Sequence, residues 1–147
     1  MKRSLQVEGH GRPISIVVAA ANVPDDQLLV ATIEAMVLER PEPEPDWEQH
    51  LALDAGFDTP TGWEACIDHD YYPHIAPRRP EDRPPPTGPR HPARRWLVER
   101  AHGWLTSWRG ILVRWEKKPE NYLGLIQLAC ALLWFRYYTT LAPWLRS

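Results

Sequence analysis

Two acidic residues in this sequence stand where a carboxylate could do chemistry. Asp54 follows the short apolar run 51–53 and comes two residues before Gly56, so we expect it to end a buried strand. Side chains at strand ends point into the crevice where sites lie in open α/β sheets. A turn-forming aspartate would occupy the same position, so position alone leaves both interpretations open.

Glu99 is the second acidic residue, in the stretch RWLVERAHGW, which has the pattern of a helix. At about 100° per residue it lies about 200° from Leu97, opposite the apolar side of that helix. Arg95 lies one turn before Glu99, and an ion pair at that spacing stabilises a helix by about 0.2–0.5 kcal/mol. Spacing alone therefore favours a solvated ion pair over a carboxylate that does chemistry.

The charge of the chain is unevenly placed. The net charge is −2 over 147 residues, which gives no overall electrostatic attraction to nucleic acid. Residues 90–118, however, hold eight arginines and lysines against two glutamates. Four arginines of this basic region lie off the predicted apolar face and could contact DNA phosphates: Arg94, Arg95, Arg100 and Arg109.

Periodicity and turn signals predict the elements that position these residues. Their order is strand, strand, helix, strand, helix, strand, long helix, helix, which is a mixed α/β plan. They cover approximately residues 3–8, 14–20, 26–40, 51–53, 60–69, 71–75, 93–118 and 120–137. Proline-rich segments near 41–49 and 76–92 predict loops within a single domain.

The last two predicted helices differ in their apolar pattern. In 93–118, apolar residues recur at spacings of four and three, which predicts one buried seam: Leu97, Ala101, Trp104, Trp108, Ile111 and Trp115. The helix at 120–137 is apolar nearly all round, so we expect it to be buried. Its apolar run is too short to span a bilayer, which needs roughly 20 apolar residues, and no membrane association is predicted.

Other residues that can carry chemistry give weaker patterns. Cys66 and Cys130 form no metal-ligand pair and are interpreted as structural residues in a reduced, cytoplasmic setting. The spacing of the possible ligands Asp68, His69, Asp70 and His74 matches no established metal site.

Three stretches, taken in order, resemble the C-terminal part of bacterial insertion-sequence transposases with a DDE active site. They are GRPISIVVAAANVPDDQLL, HLALDAGFDTPTGWEAC and HPARRWLVERAHGWLTSWRGILVRWEKKPENYLGLIQLACALLWFRY. The resemblance covers nearly the whole chain. Its last stretch is the most specific, because it combines an R-x-x-x-E helix with a basic tail and an apolar helix.

The resemblance implies an RNase H-like mixed sheet flanked by helices, with two long C-terminal helices, in one partial domain over residues 1–147. Two aspartates and a glutamate of that family hold Mg²⁺ or Mn²⁺ for cleavage and transfer of DNA strands at transposon ends. Matching the motifs assigns the second aspartate to Asp54, the glutamate to Glu99 and the helix arginine to Arg95. It also implies a cytoplasmic, nucleoid-associated protein that could form homo-oligomers.

The sequence departs from the family pattern at its beginning. The family's first aspartate lies on a central strand upstream of the segment with which this chain starts, and Ala55 replaces a usual lysine. We therefore expect an incomplete sheet without that strand, low stability, and no activity of this chain alone. An upstream transposase segment would supply the missing aspartate.

Two other functions remain as alternatives. The chain could be a non-catalytic DNA-binding or dimerisation fragment that uses the basic helix 93–118. It could also be a stand-alone nuclease with a different third metal ligand, for example His50 or Asp58.

Overall fold

The computed structural model describes residues 1–42, 44, 46–78 and 95–141, except for the side chain of Arg95. Four strands lie in these ranges: β1 (Lys2–Val7), β2 (Pro13–Ala19), β3 (His50–Leu53) and β4 (Tyr72–Ile75). The helices there are α1 (Asp25–Glu34), α2 (Pro60–Asp68), α3 (Arg95–Thr106), α4 (Arg109–Leu112) and α5 (Pro119–Leu141). A 3-10 turn, Ala55–Phe57, joins β3 to α2. The predicted mixed α/β class is confirmed.

The N-terminal hairpin is the pairing that the alternating pattern predicts. β1 pairs antiparallel with β2, with Lys2 opposite Ala19 and Leu5 opposite Ile16, and the register shifts between Gln6 and Val7. The connection requires a glycine, because Gly11 has a φ of 87° and a side chain there would meet Arg100 and Leu97.

The second sheet is small and separate from the hairpin within the described residues. β3 pairs in parallel with β4, so that His50 lies opposite Tyr72 and Leu53 opposite Ile75. The connection through α2 is the crossover that a parallel pair requires. α1 packs against both hairpin strands and also against α2 and the 3-10 turn, so this helix joins the hairpin to the elements that connect β3 and β4.

Two apolar clusters support these sheets. The hairpin cluster joins β2 to the C-terminal helices and consists of Ile16, Leu105, Ile111, Tyr122, Ile126 and Ala129. The α1–α2 cluster supports the parallel sheet and consists of Leu29, Ile33, Ala65, Cys66 and Tyr71. Cys66 is fully buried and Cys130 partly buried, and both are free thiols.

Helix α1 is shorter than predicted. It ends at Glu34 rather than near Arg40. The Val37 amide donates to the Ile14 carbonyl at 3.1 Å, so the backbone there bonds to the edge of β2 instead of continuing the helix.

The prediction of one long helix at 93–118 is wrong. α3 ends at Thr106, Trp108 adopts an extended conformation (φ −83°, ψ 113°), and α4 then forms a single turn. Because the helix is interrupted, the buried side of α3 follows Leu97, Ala101 and Leu105, and the predicted tryptophan seam is lost. Trp104, Trp108 and Trp115 are instead 37%, 41% and 69% exposed.

The predicted full burial of the last helix is also wrong. α5 begins at Pro119, as its sequence predicts, but buries one side only, through Tyr122, Ile126 and Ala129. The opposite side carries exposed apolar residues: Leu128, Leu132, Phe135, Tyr138 and Leu141. Within the described residues, other elements of the protein pack on one side of α5. The apolar composition of a helix does not show how many of its sides other elements will cover. No helix in the described ranges is long and apolar enough to cross a membrane.

Candidate functional site

Asp54 lies directly after the last residue of β3, where the sequence predicts it. It caps the 3-10 turn, with its Oδ1 accepting a hydrogen bond from the Ala55 amide at 2.8 Å. The residue is exposed, whereas Leu51 and Leu53 of β3 pack against the α1–α2 cluster. A solvent-facing carboxylate with one oriented oxygen therefore stands at the end of a strand that is held by apolar contacts.

The loop that follows Asp54 is held from both sides. Asp58 accepts hydrogen bonds from the Trp63 indole and from the Arg78 amide, each at 3.1 Å. The Arg78 guanidinium in turn donates to the carbonyls of Ala55 and Gly56. Asp58 thus fixes the loop, and using it as a metal ligand, as in the stand-alone nuclease hypothesis, would compete with these bonds.

Glu99 lies on the exposed side of α3, opposite Leu97, as the helical spacing predicts. Leu97, Ala101 and Leu105 dock the helix, so the position of Glu99 is set by packing on the other side. Arg95 begins α3, but its side chain lies outside the described residues, and so does the whole of Arg94.

Arg100 contacts the protein itself. Its guanidinium lies 4.7 Å from the ring centres of both Trp96 and Trp104, and it donates a hydrogen bond to the carbonyl of His10. These contacts join α3 to the hairpin turn, which explains why Trp96 and Trp104 flank an arginine on the helix surface. Arg109, at the start of α4, is exposed.

Arg3 is a charged residue close to His102 of α3 that sequence reasoning missed. Its Nη1 is buried and has no hydrogen-bond partner. Burial, and to a lesser extent the charge of Arg3, lower the pKa of His102, which lies one turn after Glu99 on α3. Arg3 and Leu5 are two residues apart in β1, so their side chains lie on the same face of the strand. Because Leu5 packs against the hairpin cluster, this alternation was the feature of the sequence that indicated an inward-facing Arg3.

These side chains do not form a complete metal centre among the described residues. Asp54 and Glu99 offer the hard oxygen ligands that Mg²⁺ prefers. No group of three or more histidines, cysteines, aspartates or glutamates that could hold a metal is present in the described ranges. The two carboxylates therefore fit a divalent ion by their chemistry but lack a third ligand there.

Comparison with known proteins gives a family match over most of the chain. Residues 1–134 match the family model described as "Transposase DDE domain". A protein of Burkholderia cepacia, described as a transposase for insertion sequence element IS402, is 28% identical over 141 residues. That alignment covers 90% of this chain and 61% of the relative, so the chain spans less than two thirds of the relative's length. No solved structure matches the chain.

Proposed function

Because the chain belongs to the transposase DDE domain family, we propose that it acts in DNA transposition as part of an enzyme that cleaves and transfers DNA strands. The observation that carries the proposal is that the match over residues 1–134 includes both Asp54 and Glu99. Both carboxylates are exposed on elements anchored by buried apolar residues, which suits groups that must hold a metal ion against DNA.

Asp54 and Glu99 are the residues of this chain that would hold Mg²⁺ or Mn²⁺. When bound, such an ion activates an attacking oxygen and stabilises the leaving oxygen of a phosphodiester. The Ala55 amide donates a hydrogen bond to Oδ1 of Asp54 at 2.8 Å and so orients that carboxylate. A third carboxylate would come from a transposase segment outside the described residues.

The same segment would complete the sheet. Within the described residues β1 pairs with β2 and β3 pairs with β4, so β1 and β3 each have one edge without a strand partner. Unpaired strand edges are costly when buried and promote aggregation when exposed. We propose that one strand of the complementing segment pairs with β1 and β3, giving the RNase H-like sheet, and that the chain is poorly stable without it.

The basic region would hold the DNA backbone. Arg109 is exposed, and Arg94, Arg95 and Arg100 are the further candidates. Arg100 is expected to contribute least, because the tryptophan rings and the His10 carbonyl already occupy its guanidinium.

The test is metal-dependent cleavage of DNA that carries the element's ends, with and without an added transposase segment that supplies a third carboxylate. We expect no cleavage by the chain alone and Mg²⁺-dependent cleavage by the mixture. Asp54→Asn and Glu99→Gln should each abolish it, whereas the exposed control Asp46→Asn should not. Cleavage by the chain alone, or full activity of the Asp54→Asn mixture, would contradict the proposal. A cooperative, highly stable melt of the isolated chain would contradict its dependence on a second segment.

A non-catalytic DNA-binding role is the second candidate. The exposed rings of Trp108 and Trp115 lie near Arg109 and Arg114 in sequence, and aromatic residues among arginines can stack on bases. That role predicts binding that weakens as salt is raised and survives Glu99→Gln. DNA affinity that is equal at low and high salt would exclude it.

A further inference from the structure

The β3–β4 sheet carries two histidines side by side on its solvent face. Ala52 lies opposite His74, and His50 lies opposite Tyr72, so these four residues share one face. Leu51 and Leu53 have the other parity and pack against the α1–α2 cluster. His50 Nδ1 and His74 Nε2 are 2.9 Å apart, and their ring centres are 5.0 Å apart.

We propose that His50 and His74 together bind a divalent transition-metal ion, with Cu²⁺ and Ni²⁺ preferred over Zn²⁺, and with water as the remaining ligands. Imidazole nitrogen suits these ions, whereas Mg²⁺ prefers oxygen. The site is therefore distinct in chemistry from the carboxylates Asp54 and Glu99. It does not depend on the function proposed above.

The distance between the two nitrogens favours a tetragonal ion. With metal–nitrogen bonds of about 2.0–2.1 Å, two neighbouring ligands at a right angle lie about 2.9 Å apart, and two ligands of a tetrahedral ion lie about 3.3 Å apart. The observed 2.9 Å is the distance of the hydrogen bond between the rings, and it equals the spacing of the first arrangement, so the two nitrogens could bind such an ion without moving apart. Zn²⁺ would require the rings to separate by a few tenths of an ångström.

Binding requires that two metal–nitrogen bonds replace the hydrogen bond between the rings, with a shift of one proton and a turn of the rings so that both lone pairs face the ion. In the hydrogen bond one of the two facing nitrogens carries a hydrogen and the other accepts it. For both to donate a lone pair to the metal, that hydrogen must move to the other nitrogen of its own ring. Two neutral imidazoles can do this without a net loss of protons.

The bound ion would join two short strands. β3 and β4 have four residues each, and the ion would link the first residue of β3 to the third of β4. The two histidines lie side by side only when β3 and β4 are paired. An ion that binds both of them would therefore stabilise the folded state.

The experiment is a titration of the untagged full chain with Cu²⁺, followed by electron paramagnetic resonance, and with Ni²⁺ by calorimetry. Millimolar Mg²⁺ is kept in the buffer so that oxygen sites are occupied. We expect one equivalent of Cu²⁺ bound through two imidazole nitrogens, and a metal-dependent rise in the melting temperature that EDTA reverses.

His50→Gln and His74→Gln should each weaken binding by about tenfold or more and remove the two-nitrogen spectrum. Circular dichroism identifies a variant that fails to fold. For such a variant, His50→Asn and His74→Asn provide the same comparison with a smaller side chain. His10→Gln, at the exposed hairpin turn, is the matched control and should bind as the unmodified chain does. Absence of binding by the unmodified chain would overturn the proposal. So would a His50 or His74 variant that folds and binds the ion as tightly as the unmodified chain does.

Discussion

Two arginines, one beside each apolar cluster, lie over a tyrosine ring, but they differ in their other partners. Arg12 lies 3.4 Å from the ring centre of Tyr137 and pairs with Glu8, with Nε and Oε1 2.8 Å apart. Arg40 lies 3.9 Å from the ring centre of Tyr71 and donates to neutral oxygens, the Gln49 amide at 2.8 Å and the His69 carbonyl at 2.7 Å.

The two arrangements join different parts of the chain. Arg12 is buried and connects the hairpin turn to α5, where the indole of Trp134 also donates to the Pro13 carbonyl. Arg40 is half-buried and connects the segment after α1 to the end of α2. The arginine contact between the hairpin and α5 therefore adds a charge pair to the apolar packing there, whereas the arginine contact near β3 and β4 is made to neutral acceptors.

Removing Arg12 should have the largest effect. Arg12→Ala deletes a buried cation and its ring contacts and leaves the Glu8 carboxylate without its main partner. We expect the free energy of unfolding to fall by about 2–3 kcal/mol, measured by urea denaturation. Arg136→Ala, on the exposed side of α5, is the control and should change stability by less than about 0.5 kcal/mol. Equal losses in the two variants would show that Arg12 does not connect the hairpin to α5.

Removing Arg40 should cost less. Arg40→Ala deletes three hydrogen bonds to neutral acceptors and a ring contact from a partly exposed side chain, and within the described ranges no carboxylate loses a partner. We expect a loss of about 1–2 kcal/mol that does not change with salt. Arg109→Ala provides an exposed-arginine control in the same denaturation experiment. A loss that exceeds that of Arg12→Ala would reverse the comparison.

Local sequence patterns predicted the parts of the structure that depend on residues close together in the chain. Alternation predicted the two N-terminal strands, the apolar run 51–53 predicted a strand ending at Asp54, and the helix predicted at 60–69 is present as α2, capped by the Thr59 hydroxyl. The position of Glu99 opposite Leu97 followed from helical spacing alone.

The contacts that sequence reasoning missed join distant residues. Trp134 bonds to Pro13, 121 positions away, and Arg100 bonds to His10, 90 positions away. The break after α3 was missed because the apolar spacing of 93–118 continues past it, although Ser107 there bonds through its hydroxyl to the Trp104 carbonyl. Whether Asp54 and Glu99 share a metal is likewise a long-range property, and their roles remain predictions.

The smallest effect should appear as acid sensitivity near the Arg12 pair. Partial burial acts to raise the pKa of Glu8, but hydrogen bonds from Arg12 and His10 outweigh it and hold the pKa below its ordinary value. A carboxylate whose folded pKa is depressed stabilises the fold above its unfolded pKa and loses that contribution as the pH falls through the folded value. The free energy of unfolding should therefore decline as the pH falls below the ordinary glutamate value of 4.5.

Glu8→Gln should remove part of this decline, while the exposed control Glu39→Gln should not. His102, with a pKa lowered by burial and by Arg3, adds its own loss of stability as the pH falls below 6.5, and because all the variants share this loss, the slopes are compared between variants. Urea denaturation at intervals between about pH 5 and pH 3 measures the slope in each variant. An unchanged slope in Glu8→Gln would show that the pair with Arg12 is not what makes the hairpin sensitive to acid, and that this region resembles the neutral contacts of Arg40.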